Sequence, residues 1–189
     1  ASTGSHNTAL GREALKRMTT ASAITAVGAE CLKELTTGAS NAGLGYHAGQ
    51  YLTTGVQNTL IGFQAAQGIS GTKLTGNNNT CVGASAGLVL QGNANANTLI
   101  GQDAGVSNTT GTQNTAVGVD ALKDVTTASN NTALGASALQ NTTGDLNVGL
   151  GITAGIGITS GAGNIAIGYN SCAVAVTGAN NTVVGRQAG

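Results

Sequence analysis

The chain has 189 residues, with 31 glycines, no proline, 40% hydrophobic residues and only 2% aromatics. Seven Lys and Arg balance seven Asp and Glu, which removes the electrostatic footprint of a nucleic-acid binder and any attraction to an anionic membrane surface. Apolar content without net charge excludes the composition of a disordered chain, and the missing proline and missing three-residue glycine period exclude collagen.

From the N-terminus, Asn7-Thr8-Ala9-Leu10-Gly11 states a phrase that returns at Gly28, Gly45 and Gly62. It continues at Gly83, Gly101, Gly118, Gly135, Gly151, Gly168 and Gly185, and the successive intervals are 17, 17, 17, 21, 18, 17, 17, 16, 17 and 17 residues. A unit this short cannot bury a core alone, so each is one rung of a stack. The spacing predicts an all-β fold: a parallel β-roll or β-solenoid of eleven coils, continuous over residues 1–189, roughly 50 Å long at ~4.8 Å per rung. Seventeen residues suit two short strands and two turns. No run of residues is long and apolar enough to be a transmembrane helix, so no membrane insertion is expected. The chain enters the repeat at Ala1 without a Met and leaves it at Gly189, as expected of a piece of a longer fibrous protein.

Within each rung the first predicted element is a corner. Four residues before the marker glycine stand Asn7, Asn41, Asn58, Asn79, Asn97, Asn114, Asn131, Asn147, Asn164 and Asn181, with Ile24 as the exception. Asn tolerates left-handed backbone, and stacked Asn side chains can bond from rung to rung as a structural ladder. A strand follows. Its last residue is always a branched aliphatic (Leu10, Val27, Leu44 onward), and two places earlier Thr prevails, as at Thr8, Thr59 and Thr115. The residue between them is small or apolar, as at Ala9, Leu60, Cys81 and Val183. Successive strand residues face opposite ways, so both faces are uncharged. One lines the coil, and the other calls for a cover, most simply sister copies in a homotrimer or filament.

Three residues after the marker Ala stands in nine rungs, followed by Leu (Leu15, Leu32, Leu122, Leu139) or a small residue such as Gly49 or Gly105, a second inward stretch. The coil closes through Thr-Thr-Gly turns at Thr36-Thr37-Gly38, Thr53-Thr54-Gly55, Thr109-Thr110-Gly111 and Thr142-Thr143-Gly144, where glycine is expected to supply positive φ. Charges keep to the same frame. Arg12, Glu13, Glu30, Asp103, Asp120 and Arg186 fall one or two places after the marker, and Lys16, Arg17, Lys33, Glu34, Lys123 and Asp124 five or six after it. Between Gly62 and Gly83 the longer interval predicts an insertion loop at 68–78 carrying Ser70-Gly71-Thr72-Lys73, and loops carry recognition more readily than the stack.

Cys31, Cys81 and Cys172 occupy different rungs and columns, too far apart for a disulfide, and read as small buried hydrophobes. His6 and His47 have no Cys or carboxylate at ligand spacing, no Gly-Lys-Ser/Thr follows any glycine-rich turn, and no serine triad is recognisable. Asp103 and Asp120, one rung apart, read as a solvated pair rather than a glycosidase pair. No catalytic residue, metal or cofactor is expected, and the chain is read as a non-enzyme.

One column attracts a binding role. Tyr46, Phe63 and Tyr169 take the first place after the marker, a column that also holds Arg12, Gln102 and Arg186. Tyr46 and Phe63 would lie ~5 Å apart along the stack, an aromatic platform suited to a sugar face or a protein partner. The competing reading is that these rings shield a turn or a subunit seam. Lys73 of the insertion joins the candidate binding residues.

The phrase Asn-Thr-Ala-Val-Gly-x-x-Ala-Leu with a following Thr-Thr stands at Asn114 to Leu122 with Thr126-Thr127, and its Leu variant at Asn131 to Leu139 with Thr142-Thr143-Gly144. It resembles the short repeats of trimeric autotransporter adhesin heads and of phage or algal-virus tail-fibre and spike proteins. That resemblance covers the whole chain. It implies three left-handed parallel β-rolls packed about a three-fold axis, an extracellular, cell-surface or virion-tail location, and attachment to a cell-surface glycan or protein receptor. Alternatives from the residues themselves are a purely structural filament or spacer and, from the Thr columns, an ice-binding protein.

Overall fold

The computed structural model describes residues 3–189. It contains a single sheet of eleven parallel strands, in the spatial order of the chain. They are β1 Thr8–Leu10, β2 Thr25–Val27, β3 Ala42–Leu44, β4 Thr59–Ile61, β5 Thr80–Val82, β6 Thr98–Ile100, β7 Thr115–Val117, β8 Thr132–Leu134, β9 Val148–Leu150, β10 Ile165–Ile167 and β11 Thr182–Val184. Register is the same at every step: Thr8 faces Thr25, and Thr59 faces Thr80 despite the longer interval between them. The chain is therefore a β-solenoid with one rung per repeat. No helix is present among the described residues.

Each strand is only three residues because its neighbours in sequence are bends. After the strand comes the marker glycine, with φ from 121° at Gly168 to 138° at Gly83. A Cβ there would also strike the rung above: at Gly101 it would stand 2.5 Å from the Gly118 carbonyl oxygen. Glycine is required on both counts, which explains why the column never varies.

The expected second strand is absent. That side of the coil is built from alternating bends, with left-handed residues two and four places after the marker, such as Glu13 and Leu15, Glu30 and Leu32, Asp120 and Leu122. Alternation of handedness keeps the backbone running across the stack, so its amides still pair between rungs. Leu15 N–H donates to Cys31 O at 3.2 Å and Leu32 N–H to Ala48 O at 2.9 Å. These groups are satisfied as a ladder without extended backbone.

Two further turn assignments change. The asparagines do not themselves adopt positive φ; the residue before each does, from His6 at 57° to Asn180 at 61°. The Thr-Thr-Gly glycines do not adopt it either. Their need is space, since a Cβ at Gly38 would lie 2.0 Å from Gly55 O. The Thr hydroxyls of these turns form a ladder of their own: Thr19 Oγ1 donates to Thr36 O at 3.0 Å, Thr36 to Thr53 O at 3.1 Å, and Thr109 to Thr126 O at 2.9 Å.

The core is a thin column. The middle residue of most strands points inward, as Ala26, Leu60, Leu99 and Ala133 do, against the Ala column and the residue after it. Volumes are complementary along this column. Leu99 sits where Gly105 leaves room, and a Cβ on Gly105 would lie 2.8 Å from Leu99 Cδ2. Conversely Leu32 fills the space over Gly43, whose added Cβ would come within 3.0 Å of Leu32 Cγ. A further buried column stands seven places after the marker, at Leu35, Leu52, Leu90, Val125 and Ile158. The three cysteines are free and buried.

Candidate binding face

The outer side of the sheet follows from strand alternation. With the middle residue inside, the Thr column and the branched-aliphatic column both point outward. Leu10, Leu44, Ile100, Leu134, Leu150 and Val184 are exposed, at 66%, 50%, 37%, 47%, 41% and 63%. Val119 and Ile152, one place after the marker, extend this apolar surface sideways, and both are exposed. No charged residue occurs in any of the eleven strands.

Beside that face runs the column carrying the aromatics. Tyr46 stacks on Phe63 with ring centroids 5.7 Å apart and planes within 15°. Tyr46 also stacks on His47, at 3.7 Å and 21°. Backbone pairing makes this arrangement rigid: Gln64 N–H donates to Tyr46 O at 2.9 Å and Ser85 N–H to Phe63 O at 2.8 Å. Gln102 lies two rungs above Phe63, its amide donating to Asp103 Oδ2 at 3.2 Å. Arg12, at the foot of the column, pairs with Glu30. Tyr169 stands six rungs from Phe63, roughly 30 Å away, under the Arg186 guanidinium at 5.7 Å from its ring centroid. The candidates therefore form two groups on one column, Arg12, Tyr46, Phe63 and Gln102 in the first and Tyr169 with Arg186 in the second.

Lys73 belongs to neither. Its ammonium lies 4.7 Å from the Tyr51 ring centroid and 3.5 Å from Glu34 Oε2, so it is engaged on the stack. The protruding part of the insertion is shorter than 68–78: Ile69 and Thr72 pair as a small antiparallel bridge around exposed Ser70 and Gly71, and Leu74 returns to the core.

Below the aromatics lies a polar network that sequence reading missed, because its members are brought together only by the winding. Glu30 accepts from Lys33 at 3.0 Å and from Gln50 at 2.7 Å, and Gln67 donates to Gln50 at 2.7 Å. Lys33 also reaches Glu13 at 2.7 Å, and Lys16 reaches it at 2.9 Å. Hydrogen bonds from Lys16 and Lys33 hold the Glu13 carboxyl down to about 2. Glu30 is likewise lowered, chiefly by Lys33, whose own ammonium is raised, chiefly by Glu13. Burial pushes His47 down, against the pull of Glu30. The signal available in sequence was spacing: Glu13, Glu30 and His47 share one column at 17-residue intervals.

Eight of the ten asparagines, Asn41 to Asn164, line the interior, and Asn7 and Asn181 at the two ends are half-buried and exposed, respectively. Asn58 N–H donates to Asn41 Oδ1 at 2.9 Å, Asn79 N–H to Asn58 Oδ1 at 2.9 Å, and the pattern runs to Asn181 on Asn164 at 2.9 Å. Most of their amide groups also donate to a turn carbonyl, as Asn114 does to Ala128 O at 2.8 Å. These polar side chains are consumed by the architecture and offer nothing to a ligand. Among the described residues no group of three or more His, Cys, Asp or Glu is placed to hold a metal ion, and no enclosed pocket is present.

No protein-family model matches this chain, and comparison with curated proteins and with solved structures finds no match.

Proposed function

We propose that this solenoid is a non-enzymatic attachment module of a fibrous extracellular protein, of the bacterial surface-adhesin or phage tail-fibre kind, working as a homotrimer. The observation that carries the reading is the uncharged outer face of the sheet, with aliphatic side chains exposed on strand after strand. A stripe that long is beyond the scattered apolar exposure of a monomer and calls for a partner. A copy of the same chain is the partner whose side chains repeat at the same rise, so the two stripes interdigitate along their full length. The charged columns one and two places after the marker then lie at the rim, where they stay in water, and the aromatics there remain free to meet a cell-surface glycan or protein. The turn Thr hydroxyls donate to the next rung, whereas the strand Thr column lies on the outer face and is covered together with the aliphatics in the proposed trimer.

Two measurements test it. Sedimentation equilibrium of the chain is expected to give three times the monomer mass, and Leu134→Asp with Leu150→Asp is expected to return it to the monomer with its circular dichroism unchanged. Binding of the labelled assembly to bacterial and host cells is the second. A monomeric wild type removes the proposed assembly, and an assembly that binds no surface leaves a passive spacer.

A further inference from the structure

Phe63 is the aromatic of this column with an unoccupied side. Tyr46 is stacked by both His47 and Phe63, and Tyr169 is covered by Arg186. Phe63 stacks on Tyr46, but the next rung places only exposed Ala84 in the column, and the rung beyond places exposed Gln102. Two rung steps span roughly 10 Å, and a ring at van der Waals distance needs about 3.5–4 Å on each side. Between Phe63 and Gln102, over the Ala84 methyl, the stack therefore leaves a slot one ring wide. Its frame is fixed by Ser85 N–H on Phe63 O at 2.8 Å and Asp103 N–H on Ala84 O at 3.0 Å.

The groups around the slot define its occupant. Ser85 and Asp103 stand beside it, one place further along their rungs than Ala84 and Gln102. The Ser85 hydroxyl has no hydrogen-bond partner among the described residues, and Asp103 has no ion-pair partner there, its carboxylate accepting only from Gln102. An apolar wall flanked by a hydroxyl, an amide oxygen and a carboxylate matches a pyranose ring, whose C–H face packs on an aromatic while its equatorial hydroxyls donate outward. An aromatic side chain would fill the same width but make no hydrogen bond to the Ser85 hydroxyl, the Gln102 amide oxygen or the Asp103 carboxylate. The nearby charges are Asp103, Asp120 and Asp124 against Lys123, which lies 3.0 Å from Asp120. That excess of carboxylates disfavours sialylated or sulfated sugars. We propose that the slot between Phe63 and Gln102 binds a single neutral pyranose unit, with Phe63 as the stacking wall and Gln102, Ser85 and Asp103 as the hydrogen-bonding groups. This deepens the attachment reading and rests on it.

The test is a saturation-transfer NMR titration of the whole chain with methyl β-glucoside, methyl β-galactoside and methyl α-mannoside, and with sialic acid and p-cresol as competitors. At least one neutral glycoside is expected to bind, and sialic acid is not. Ala84→Phe fills the slot with a ring the column already accepts at position 63, and is expected to weaken that binding about tenfold or more. Gln102→Leu is expected to weaken it too, while Val174→Ala, exposed in a turn far along the stack from the slot, changes nothing. Oligomer mass is measured on each variant, so that a seam role for the rings is seen separately. Absence of glycoside binding, equal binding by Ala84→Phe, or preference for p-cresol overturns the slot. If cell binding persists with Ala84→Phe, the slot is wrong but attachment stands; if the wild type binds no cell surface, attachment itself fails.

Discussion

Asn114→Ala is the sharpest probe of what holds the rungs together. Asn114 is buried, with 1% of its surface exposed. Its Oδ1 accepts the Asn131 backbone N–H at 3.0 Å and its Nδ2 donates to Ala128 O at 2.8 Å. Alanine leaves both of those groups inside the coil without their partner. An orphaned buried group costs about 1–3 kcal/mol, so orphaning two should cost about 2–6 kcal/mol. For a chain of this size about 1 kcal/mol shifts Tm by roughly 2–4 °C, which puts the loss at roughly 4–24 °C. The control is Asn181→Ala, at the last strand, where the side chain still donates to Asn164 Oδ1 at 2.9 Å but lies partly in solvent. That change should cost under about 1 kcal/mol. Ile24→Asn completes the series, because Ile24 offers no oxygen to Asn41 N–H and a ladder Asn restores one. It should be tolerated far better than an apolar-to-Asn change at Leu60. Thermal unfolding followed by circular dichroism reads all of these. Equal loss from Asn114→Ala and Asn181→Ala would refute the claim that the ladder is a main source of stability.

Further expectations follow from the packing and the titrations. Ser171 occupies the Ala column fully buried, and its Oγ has no hydrogen-bond partner, so Ser171→Ala should raise stability by about 1 kcal/mol and Ala138→Ser should lower it, measured as Tm. Leu99→Ala should cost about 2–5 kcal/mol and Gly105→Leu alone should clash, but the double change should recover much of both, giving a coupling above about 1 kcal/mol in a double-mutant cycle. Burial raises the Cys81 thiol from 9.0 to about 12 and Cys31 from 9.0 to about 11. A raised value favours the protonated folded form, so this contribution is intact below pH 9 and is lost as pH rises toward 11–12. Unfolding midpoints should fall in that alkaline window, and native Cys81 should resist iodoacetamide at pH 8. Glu13 behaves oppositely. Its lowered carboxyl contributes above 4.5 and loses that contribution as pH falls toward about 2, so Glu13→Gln should flatten the acid limb of the stability profile.

The period, the stacking, the inward and outward faces of the strand and the column of aromatics were all legible in the residues, because a rung-by-rung register converts sequence interval directly into spatial adjacency. Gly11 to Gly185 mark the coils, and the parallel sheet carries that register throughout. What sequence could not disclose was backbone handedness. Leu15, Leu32, Leu122 and Leu139 all adopt positive φ, a state Leu disfavours by itself, so the second side reads as strand until the stack is assembled. Inter-rung hydrogen bonds and the filled core outweigh that local cost only when every rung repeats it. For the same reason the Glu30, Gln50 and Gln67 network and the gap over Ala84 belong to the tertiary structure. They depend on which side chains the winding sets beside one another, and on how far each is from the next.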